Sequence, residues 1–433
     1  MATVAFHTLG CKVNLHDTEG VASLFRRKGY TVVDFDGPAD VYVINTCSVT
    51  NAGARKSRQA IRKAVSANPR AVVVAMGCYA QYAPAEVAAI PGVDVIVGTH
   101  GRGDIVELVE EVRRTGRPVH RVEKIFKVRE FEDLPALDFD GRTRATLKIQ
   151  DGCNEFCSFC QIPWARGRNR SRPLESVVEQ ARRIAEKGFK EIVLTGVHLG
   201  TYGVDLDPPA TLAQAVRRVH GVDGIERIRI SSVDPHEIDD DLIDAFASLP
   251  KVCRHFHIPA QSGDDDILLL MRRRNSVGEF RRVVDRLRER IPGVAITTDV
   301  IVGFPQETDE RFENTYAFCE EMAFAKIHVF PYSVRSGTAA ERMPGHVDQA
   351  VKRARVDRLI ALSDRLSHDY HRSLVGKRAS ILIERVEDGW SEGFTETYVR
   401  ARVPAPARRG ELVEAVVTEA AAHGVAALPA PAA

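Results

Sequence analysis

The chain has 433 residues, a length that predicts two or three domains rather than one. Its composition, 44% hydrophobic and 27% charged, is typical of a soluble globular protein, and no run of about 18 apolar residues predicts a membrane span. The N-terminus lacks the basic and apolar regions of a signal peptide, so we expect a cytoplasmic protein with no membrane partner. The formal net charge of +1 neither favours nor excludes nucleic acid, and eight cysteines do not resemble a disulfide scaffold.

Predicted strands and helices alternate over residues 1–125, which favours an open, mostly parallel α/β sheet. In chain order they are 3–9, 17–28, 40–46, 52–67, 71–77, 93–98 and 105–114. Cys11, Cys47 and Cys78 each follow a different strand, at the end of a parallel sheet where ligand-binding loops lie. We expect them to hold one metal centre and to leave one metal position open. Three unrelated cysteines, two of them packed in the core, are the alternative.

A second group of three cysteines lies in the segment TLKIQDGCNEFCSFCQIPWARGRNRSR, residues 146–172. Cys153, Cys157 and Cys160 follow a predicted strand with C-x3-C-x2-C spacing, which lets three thiolates converge on one metal centre. A structural zinc site normally takes four ligands, whereas three cysteines on a [4Fe–4S] cluster leave one iron free. A zinc site completed by a distant residue, or free thiols, is the alternative. The arrangement resembles the radical S-adenosylmethionine (SAM) enzymes, in which the open iron chelates SAM.

Six further strand–helix units follow a charged linker at 126–141. Their predicted strands are 145–150, 191–197, 227–232, 254–259, 294–303 and 326–332. A complete (β/α)8 barrel usually needs about 250 residues, so a partial (β/α)6 barrel is expected within 142–370, which includes a trailing helix at 347–372. Strand-like segments at 378–386, 397–403 and 411–421 predict a small β-barrel within 371–433, and the tail 426–433 is expected to be disordered.

Four stretches of the chain together resemble the methylthiotransferases: HTLGCKVN, VINTCSVTNAGARKSRQ, GCYAQ and CNEFCSFCQIPWARG. The resemblance implies that the first cysteine trio binds an auxiliary [4Fe–4S] cluster and that the second trio binds the radical SAM cluster. It also implies that the C-terminal barrel is an RNA-binding TRAM domain. The chain looks most like the members that add a methylthio group at C2 of N6-threonylcarbamoyladenosine at position 37 of tRNA. Methylthiolation of N6-isopentenyladenosine in tRNA or of a ribosomal protein aspartate is the alternative, and a non-enzymatic iron–sulfur RNA-binding protein is a rival of another class.

Polar or small residues stand at the carboxyl ends of the predicted barrel strands, where active sites of such barrels lie. By resemblance the SAM contacts are Thr195, Gly196, Ser231, Ser232, Gln261 and Gly303. The family commonly reads GFPGET where this chain reads GFPQET, so Gln306 replaces a glycine of that loop.

Four alternating arginines follow the second trio and would project to one side of an extended segment: Arg166, Arg168, Arg170 and Arg172. Guanidinium groups suit phosphate, so we expect these side chains to contact RNA, with 272–274 as a weaker candidate and a solvated loop as the alternative. The implied partners are the tRNA anticodon stem-loop and a one-electron reductant such as flavodoxin or ferredoxin. The protein is expected to be a monomer.

Overall fold

The computed structural model describes residues 1–430 except 138, 140, 388, 405 and 406. Within these residues, no helix combines the length and the apolar character that crossing a membrane requires. Three bodies follow one another along the chain, and each has hydrophobic core residues of its own. The domain limits predicted at 125, 141 and 370 stay a prediction.

The first body is the predicted open sheet, with six parallel strands in the order β2-β1-β3-β4-β5-β6. Its two central strands read VYVINT and VVVAMG and are buried along their whole length, because helices cover both faces of a parallel sheet. The elements are β1 Thr3–Thr8, α1 Lys12–Arg27, β2 Thr31–Val33, β3 Val41–Thr46, α2 Asn51–Ala67, β4 Val72–Gly77, α3 Cys78–Tyr82, α4 Pro84–Ala88, β5 Val95–Val97, α5 Ile105–Thr115 and β6 Val119–Arg121.

The second body is the predicted partial barrel. Its main strands pair in parallel in the order β7-β10-β11 and β12-β13-β14, and a bridge between Ser232 and His257 joins the two halves. The elements are β7 Arg144–Lys148, β8 Gln150–Asp151, α6 Ile162–Arg166, β9 Arg170–Ser171, α7 Leu174–Glu186, β10 Glu191–Thr195, α8 Leu212–His220, β11 Arg227–Ile230, α9 Asp240–Ser248, β12 His255–His257, α10 Asp265–Leu270, α11 Val277–Arg290, β13 Ala295–Val302, α12 Asp309–Met322, β14 Lys326–Pro331 and α13 Gln349–Leu374.

The third body is a closed five-stranded barrel in the order β15-β16-β17-β19-β18. Its strands are β15 Arg378–Glu387, β16 Trp390–Thr395, β17 Arg400–Val403, β18 Leu412–Ala421 and β19 Gly424–Pro429. The prediction of a disordered tail is wrong for 426–429, because β19 closes the barrel by pairing with both β17 and β18. Ala430 is also ordered, since its N–H donates to the Glu414 carbonyl at 2.9 Å, and residues 431–433 lie outside the described residues.

Two buried arginines fasten this barrel to the second body. Arg227 and Arg229 extend from β11, and their guanidinium groups donate to main-chain carbonyls of Phe394, Thr395 and Glu396 at distances of 3.2 Å. The charges are balanced by Glu191, which accepts from both arginines at 3.1–3.2 Å. The small barrel therefore forms one wall of the space above the carboxyl ends of the larger barrel.

The predicted linker forms, beyond a short turn at Ile125–Lys127, no regular element in its described residues, yet it is anchored at both ends. Leu134 packs into the core of the open sheet, and Ala136 and Phe139 pack into the barrel core. Two residues before Leu134, Glu132 binds the buried guanidinium of Arg102. The segment holds the first two bodies together, which its charged sequence did not indicate.

Candidate active site

The first cysteine trio lies at one edge of the open sheet, as predicted. Cys11, Cys47 and Cys78 follow β1, β3 and β4, which are neighbours in the sheet, so their thiols converge. Gly10 and Gly77 adopt φ angles of +106° and +94°, which a residue with a side chain rarely adopts. A Cβ at Gly10 would lie 3.2 Å from Cys47 Sγ, so this glycine keeps room beside the sulfur.

The protonation of the thiols in this trio depends on the positive charges placed near them. Burial raises the pKa of Cys47 and raises that of Cys78 to about 11, so both thiols would remain protonated without a nearby positive charge. Arg166 supplies one such charge, because its Nε lies 3.3 Å from Cys78 Sγ. A metal centre would supply the rest, since bound cations deprotonate coordinating thiols. The donor set therefore fits a cluster with three cysteine ligands.

The second trio lies on the loop that follows β8, near the carboxyl ends of the barrel strands. Gly152 opens this loop at a φ of +78°, and a Cβ there would lie 1.9 Å from the Arg168 carbonyl oxygen. Amide groups point at two of the sulfurs: Glu155 N–H donates to Cys153 Sγ and Ile162 N–H to Cys160 Sγ, both at 3.4 Å. Hydrogen bonds of this kind tune iron–sulfur clusters, so the loop fits the implied radical SAM cluster.

Arg273 faces the remaining sulfur of this trio. Its Nη1 lies 3.8 Å from Cys157 Sγ, and its Nη2 binds Asp234 at 2.6 Å. Burial raises the pKa of Cys157, and the nearby guanidinium opposes that shift. Sequence reasoning had placed this arginine only in a weak phosphate-binding triplet, because nothing along the chain connects it with the cysteine loop.

The spacing of ligand atoms bears on the zinc alternative. Within the described residues, two groups bring three candidate ligand atoms within 4.8 Å of one another, Glu155–His198–His236 and His257–Asp299–His328, and neither contains a cysteine. Three ligands of one zinc ion must lie this close, because each sits about 2.0–2.3 Å from the ion. Ligands of an iron–sulfur cluster bind separate irons and lie further apart, so both trios fit a cluster better than a single ion.

A cavity of about 1180 Å³ connects the three bodies. All three cysteines of the first trio line it, together with four of the six predicted SAM contacts, Thr195, Gly196, Ser231 and Ser232. Gln261 and Gly303 do not belong to the lining formed by the described residues. Instead, Gln261 pairs through its main chain with β13, and Gly303 packs so tightly on α13 that a Cβ would lie 2.2 Å from Lys352 Cγ.

Gln306, the residue that replaces the family glycine, has a φ of +68°. This left-handed conformation explains why a glycine suits the position. The main chain of Gln306 is held there by a hydrogen bond from its N–H to the Gly345 carbonyl at 2.8 Å.

The four alternating arginines do not form an RNA-facing row. Arg166, Arg170 and Arg172 are buried and lie beside carboxylates, because the segment turns inward instead of running extended along the surface. The expected phosphate contacts of these three are wrong. Arg168 is exposed, and its contact with RNA stays a prediction.

Arg166 instead connects the two cysteine sites. Its guanidinium contacts Cys78 of the first trio, binds both oxygens of Asp151 at 3.0 Å just ahead of the second trio, and donates to Asn14 at 2.6 Å. Asn14 Oδ1 also lies 3.7 Å from Cys78 Sγ. The sequence pattern predicted neither the contacts of Arg166 with the two cysteine sites nor those of Asn14 with Arg166 and Cys78. For Asn14, the one local indication was its place in the segment KVN, which directly follows Cys11.

Comparisons with known proteins agree with this geometry. Residues 147–319 match the family described as the radical SAM superfamily, and residues 3–98 match the one described as uncharacterized protein family UPF0004. The chain is 47% identical, over 92% of its length and 90% of the relative's, to "Threonylcarbamoyladenosine tRNA methylthiotransferase MtaB" of Bacillus subtilis (strain 168). It is 37% identical, over 90% of its length and 83% of the relative's, to "tRNA-2-methylthio-N(6)-dimethylallyladenosine synthase" of Thermoanaerobacter sp. (strain X514).

Among solved structures, the fold resembles the radical SAM methyltransferase TsrM from Kitasatospora setae, with a TM-score of 0.55 and 17% identity over 76% of this chain and 73% of that one. An open six-stranded barrel that carries a C-x3-C-x2-C loop at its strand ends is the architecture of a radical SAM enzyme. With the open-sheet body and the closed C-terminal barrel, the chain belongs to the methylthiotransferase family of that superfamily.

Proposed function

We propose that this enzyme inserts a methylthio group at C2 of N6-threonylcarbamoyladenosine at position 37 of tRNA. The observation that carries the proposal is that one cavity is lined both by the first cysteine trio and by the polar ends of the barrel strands. The choice of nucleoside is supported by the relatives, since identity is 47% to the one named for threonylcarbamoyladenosine and 37% to the one named for dimethylallyladenosine.

In this proposal Cys153, Cys157 and Cys160 hold the radical SAM [4Fe–4S] cluster, and Cys11, Cys47 and Cys78 hold the auxiliary one. Thr195, Gly196, Ser231 and Ser232 would contact SAM, with Gln261 and Gly303 acting behind the cavity wall. When bound, these groups would supply one-electron chemistry for the unactivated aromatic C2–H bond, together with the sulfur and the methyl group.

The chain's own contribution is to line one cavity with the first trio and the polar ends of the barrel strands, and to hold the two cysteine sites near each other. Arg166 would fix their relative position, because its single guanidinium binds groups at both. The small barrel would supply a wall for the target base, since Phe394 and Tyr398 stack at a centroid distance of 5.1 Å and both line the cavity. Aromatic faces of this kind stack on unpaired bases of RNA loops.

A second cavity of about 530 Å³ would receive the RNA backbone. It adjoins the first, because Lys12, Arg229 and Tyr398 line both. Its lining adds four arginines from the linker and the two barrels, Arg142, Arg144, Arg385 and Arg409, against one glutamate among the described residues. A basic groove that leads into the cavity suits the phosphates of an anticodon stem-loop. We further propose a cytoplasmic monomer that receives electrons from a flavodoxin or a ferredoxin.

The test is mass spectrometry of tRNA nucleosides from cells that lack the gene. We expect 2-methylthio-N6-threonylcarbamoyladenosine to disappear and to return with the wild-type gene, but not with Cys47→Ala or Cys157→Ala. Cys319→Ala is the matched control, because Cys319 is buried in α12 outside both trios, and it should restore the nucleoside.

Other outcomes would point elsewhere. An unchanged tRNA profile would contradict the proposal, loss of the isopentenyl nucleoside instead would change the substrate, and loss of methylthioaspartate from ribosomal protein would move the enzyme off tRNA. Zinc without iron or sulfide in anaerobically purified protein would contradict the cluster assignment.

A further inference from the structure

The large cavity has an unusual balance of charge. Its described lining includes five lysines and arginines but one carboxylate, Asp299. Asp299 is already engaged, because His257 Nε2 lies 3.2 Å from its Oδ2. The cavity therefore offers positive charge to whatever enters it.

Four of the five cations have carboxylate partners within the protein: Arg166 with Asp151, Arg229 with Glu191, Lys326 with Asp364 and Arg400 with Glu392. Lys12 differs from them, since its ammonium group makes no hydrogen bond or ion pair with any residue that the structure describes. It is exposed, and it occupies the first position of α1, where the helix dipole disfavours a cation. Neither packing nor folding stability accounts for a lysine at this place.

Imidazole groups surround the space that Lys12 faces. His255, His257 and His328 line the same cavity, and the rings of His257 and His328 lie 5.6 Å apart. Burial and the neighbouring His257 lower the pKa of His328; Asp299 opposes this shift, and the charges of Lys326 and Lys12 add to it. His328 is therefore neutral at pH 7 and can donate one hydrogen bond without adding charge.

The proposed substrate carries a matching group. The threonylcarbamoyl substituent on N6 ends in a carboxylate and a hydroxyl group, whereas an isopentenyl substituent is apolar. C2 and C6 flank the ring nitrogen N1 of adenine, and N6 is bonded to C6, so C2 and the N6 substituent lie on the same edge of the base. A base whose C2 faces the Cys11 trio therefore brings its N6 substituent toward the side chain that follows Cys11 in the chain.

We infer that Lys12 and His328, which line the same cavity, form a carboxylate-binding subsite that selects the threonylcarbamoyl group of the substrate. This inference rests on the proposed function. It assigns the discrimination between acidic and apolar N6 substituents to one cation of the open-sheet body, because an unpaired ammonium binds a carboxylate and is left uncompensated by an isopentenyl group.

The test measures binding to the anaerobically reconstituted holoenzyme, so it does not depend on turnover. Three anticodon stem-loops are compared, which carry N6-threonylcarbamoyladenosine, its methyl ester, or unmodified adenosine at position 37. We expect the dissociation constant of wild type to be about tenfold lower for the acid than for the ester. A ratio of this size corresponds to the contribution of one charge-assisted hydrogen bond. In Lys12→Met this preference should vanish, whatever the variant loses in affinity for all three stem-loops alike, because Lys12 also lines the proposed RNA groove.

Two variants serve as controls. Lys12→Arg keeps the charge and should retain the preference for the acid. Lys28→Met removes a lysine at the opposite end of the same helix and should behave as wild type. Iron content is measured for each variant, because Lys12 adjoins a proposed cluster ligand.

Each result has one meaning. A Lys12→Met enzyme that still prefers the acid over the ester, or a wild type that never does, would overturn the subsite. A fourth stem-loop, which carries isopentenyladenosine, tests the proposed substrate itself. If wild type bound it more tightly than the acid and the ester, the proposed substrate would be contradicted.

Discussion

Replacing Asp17 by asparagine should destabilise the protein strongly. Asp17 is fully buried in α1, and its carboxylate binds three cations: Arg102 at 2.5 Å, Lys148 at 2.7 Å and Arg166 at 3.0 Å. Burial alone would raise the pKa of Asp17, but Arg102 and the other two cations hold it well below its usual range. The carboxylate is therefore charged in the folded protein at every pH of practical interest.

The size of the effect follows from the charges that remain. Removing one partner of a buried ion pair typically costs about 3–5 kcal/mol. Here Arg102 keeps Glu132, and Lys148 and Arg166 keep Asp151, so a loss near the lower limit, about 3 kcal/mol, is expected. That is a large part of a total stability of about 5–15 kcal/mol. Because asparagine has nearly the same shape as aspartate, the decrease in the free energy of unfolding measures the lost charge and not a change in packing.

The assay is urea denaturation at pH 7.5, with the iron content of the reconstituted protein as a second readout. Iron should fall as well, because Arg166 contacts Cys78 and its own anchor is weakened. Glu321→Gln is the control; it removes an exposed ion pair with Arg281 and should cost about 1 kcal/mol or less. If Asp17→Asn lost no more stability than this control, the buried network would not be what joins the open sheet to the barrel.

Three further substitutions test other features of the fold. Gly152→Ala should lower the free energy of unfolding by about 3 kcal/mol or more and reduce iron content, because the new Cβ would lie 1.9 Å from the Arg168 carbonyl oxygen. Gly116→Ala is the control: Gly116 has a φ of +66° and nothing within 4 Å of a new Cβ, so the loss should be about 1 kcal/mol. Equal losses in the two variants would refute the steric argument. Burial and nearby cations lower the pKa of His16 to about 3, so the unfolded state binds the extra proton first and stability should fall by about 1.4 kcal/mol per unit as pH drops from 6 to 4. Urea denaturation of His16→Asn should lack that part of the slope, and an unchanged slope would contradict it. Ala323→Gly should raise the thermal midpoint by relieving about 1 kcal/mol of left-handed strain at a φ of +44°, and a lower midpoint would contradict this expectation.

Much of the fold could be predicted from local patterns. The two central strands of the open sheet are continuous apolar runs, which are recognisable without knowledge of their neighbours. The short edge strands β2 and β6 of that sheet were not predicted, because three residues give too little pattern. Strands β16 and β19 were missed for a local reason as well. Gly393 interrupts β16, and β19 consists mainly of small residues and proline, so neither has a strong strand pattern.

The arginines that follow the second trio show where local patterns fail. Their strict alternation describes an extended surface strand, yet Arg166 and Arg172 turn inward to Asp151 and Asp133. Burial of a guanidinium group is costly unless it forms an ion pair with a carboxylate, and here the carboxylates come from distant segments of the chain. The same reason hid the pairing of Arg166 with Asp17, which lies in another body of the protein.

The sequence by itself indicated most of the strands and helices and grouped six cysteines into two candidate sites, because strand ends and short loop spacings are local properties of the chain. Only the tertiary structure decided that the first trio and the polar ends of the barrel strands line one cavity, and that three arginines serve as internal ion-pair partners. It also decided that Lys12 lines this cavity with no side-chain partner among the described residues. These features depend on charged side chains that come together from distant segments of the chain. The energies of their interactions depend on burial and on the distance between charges, and a local sequence pattern predicts neither.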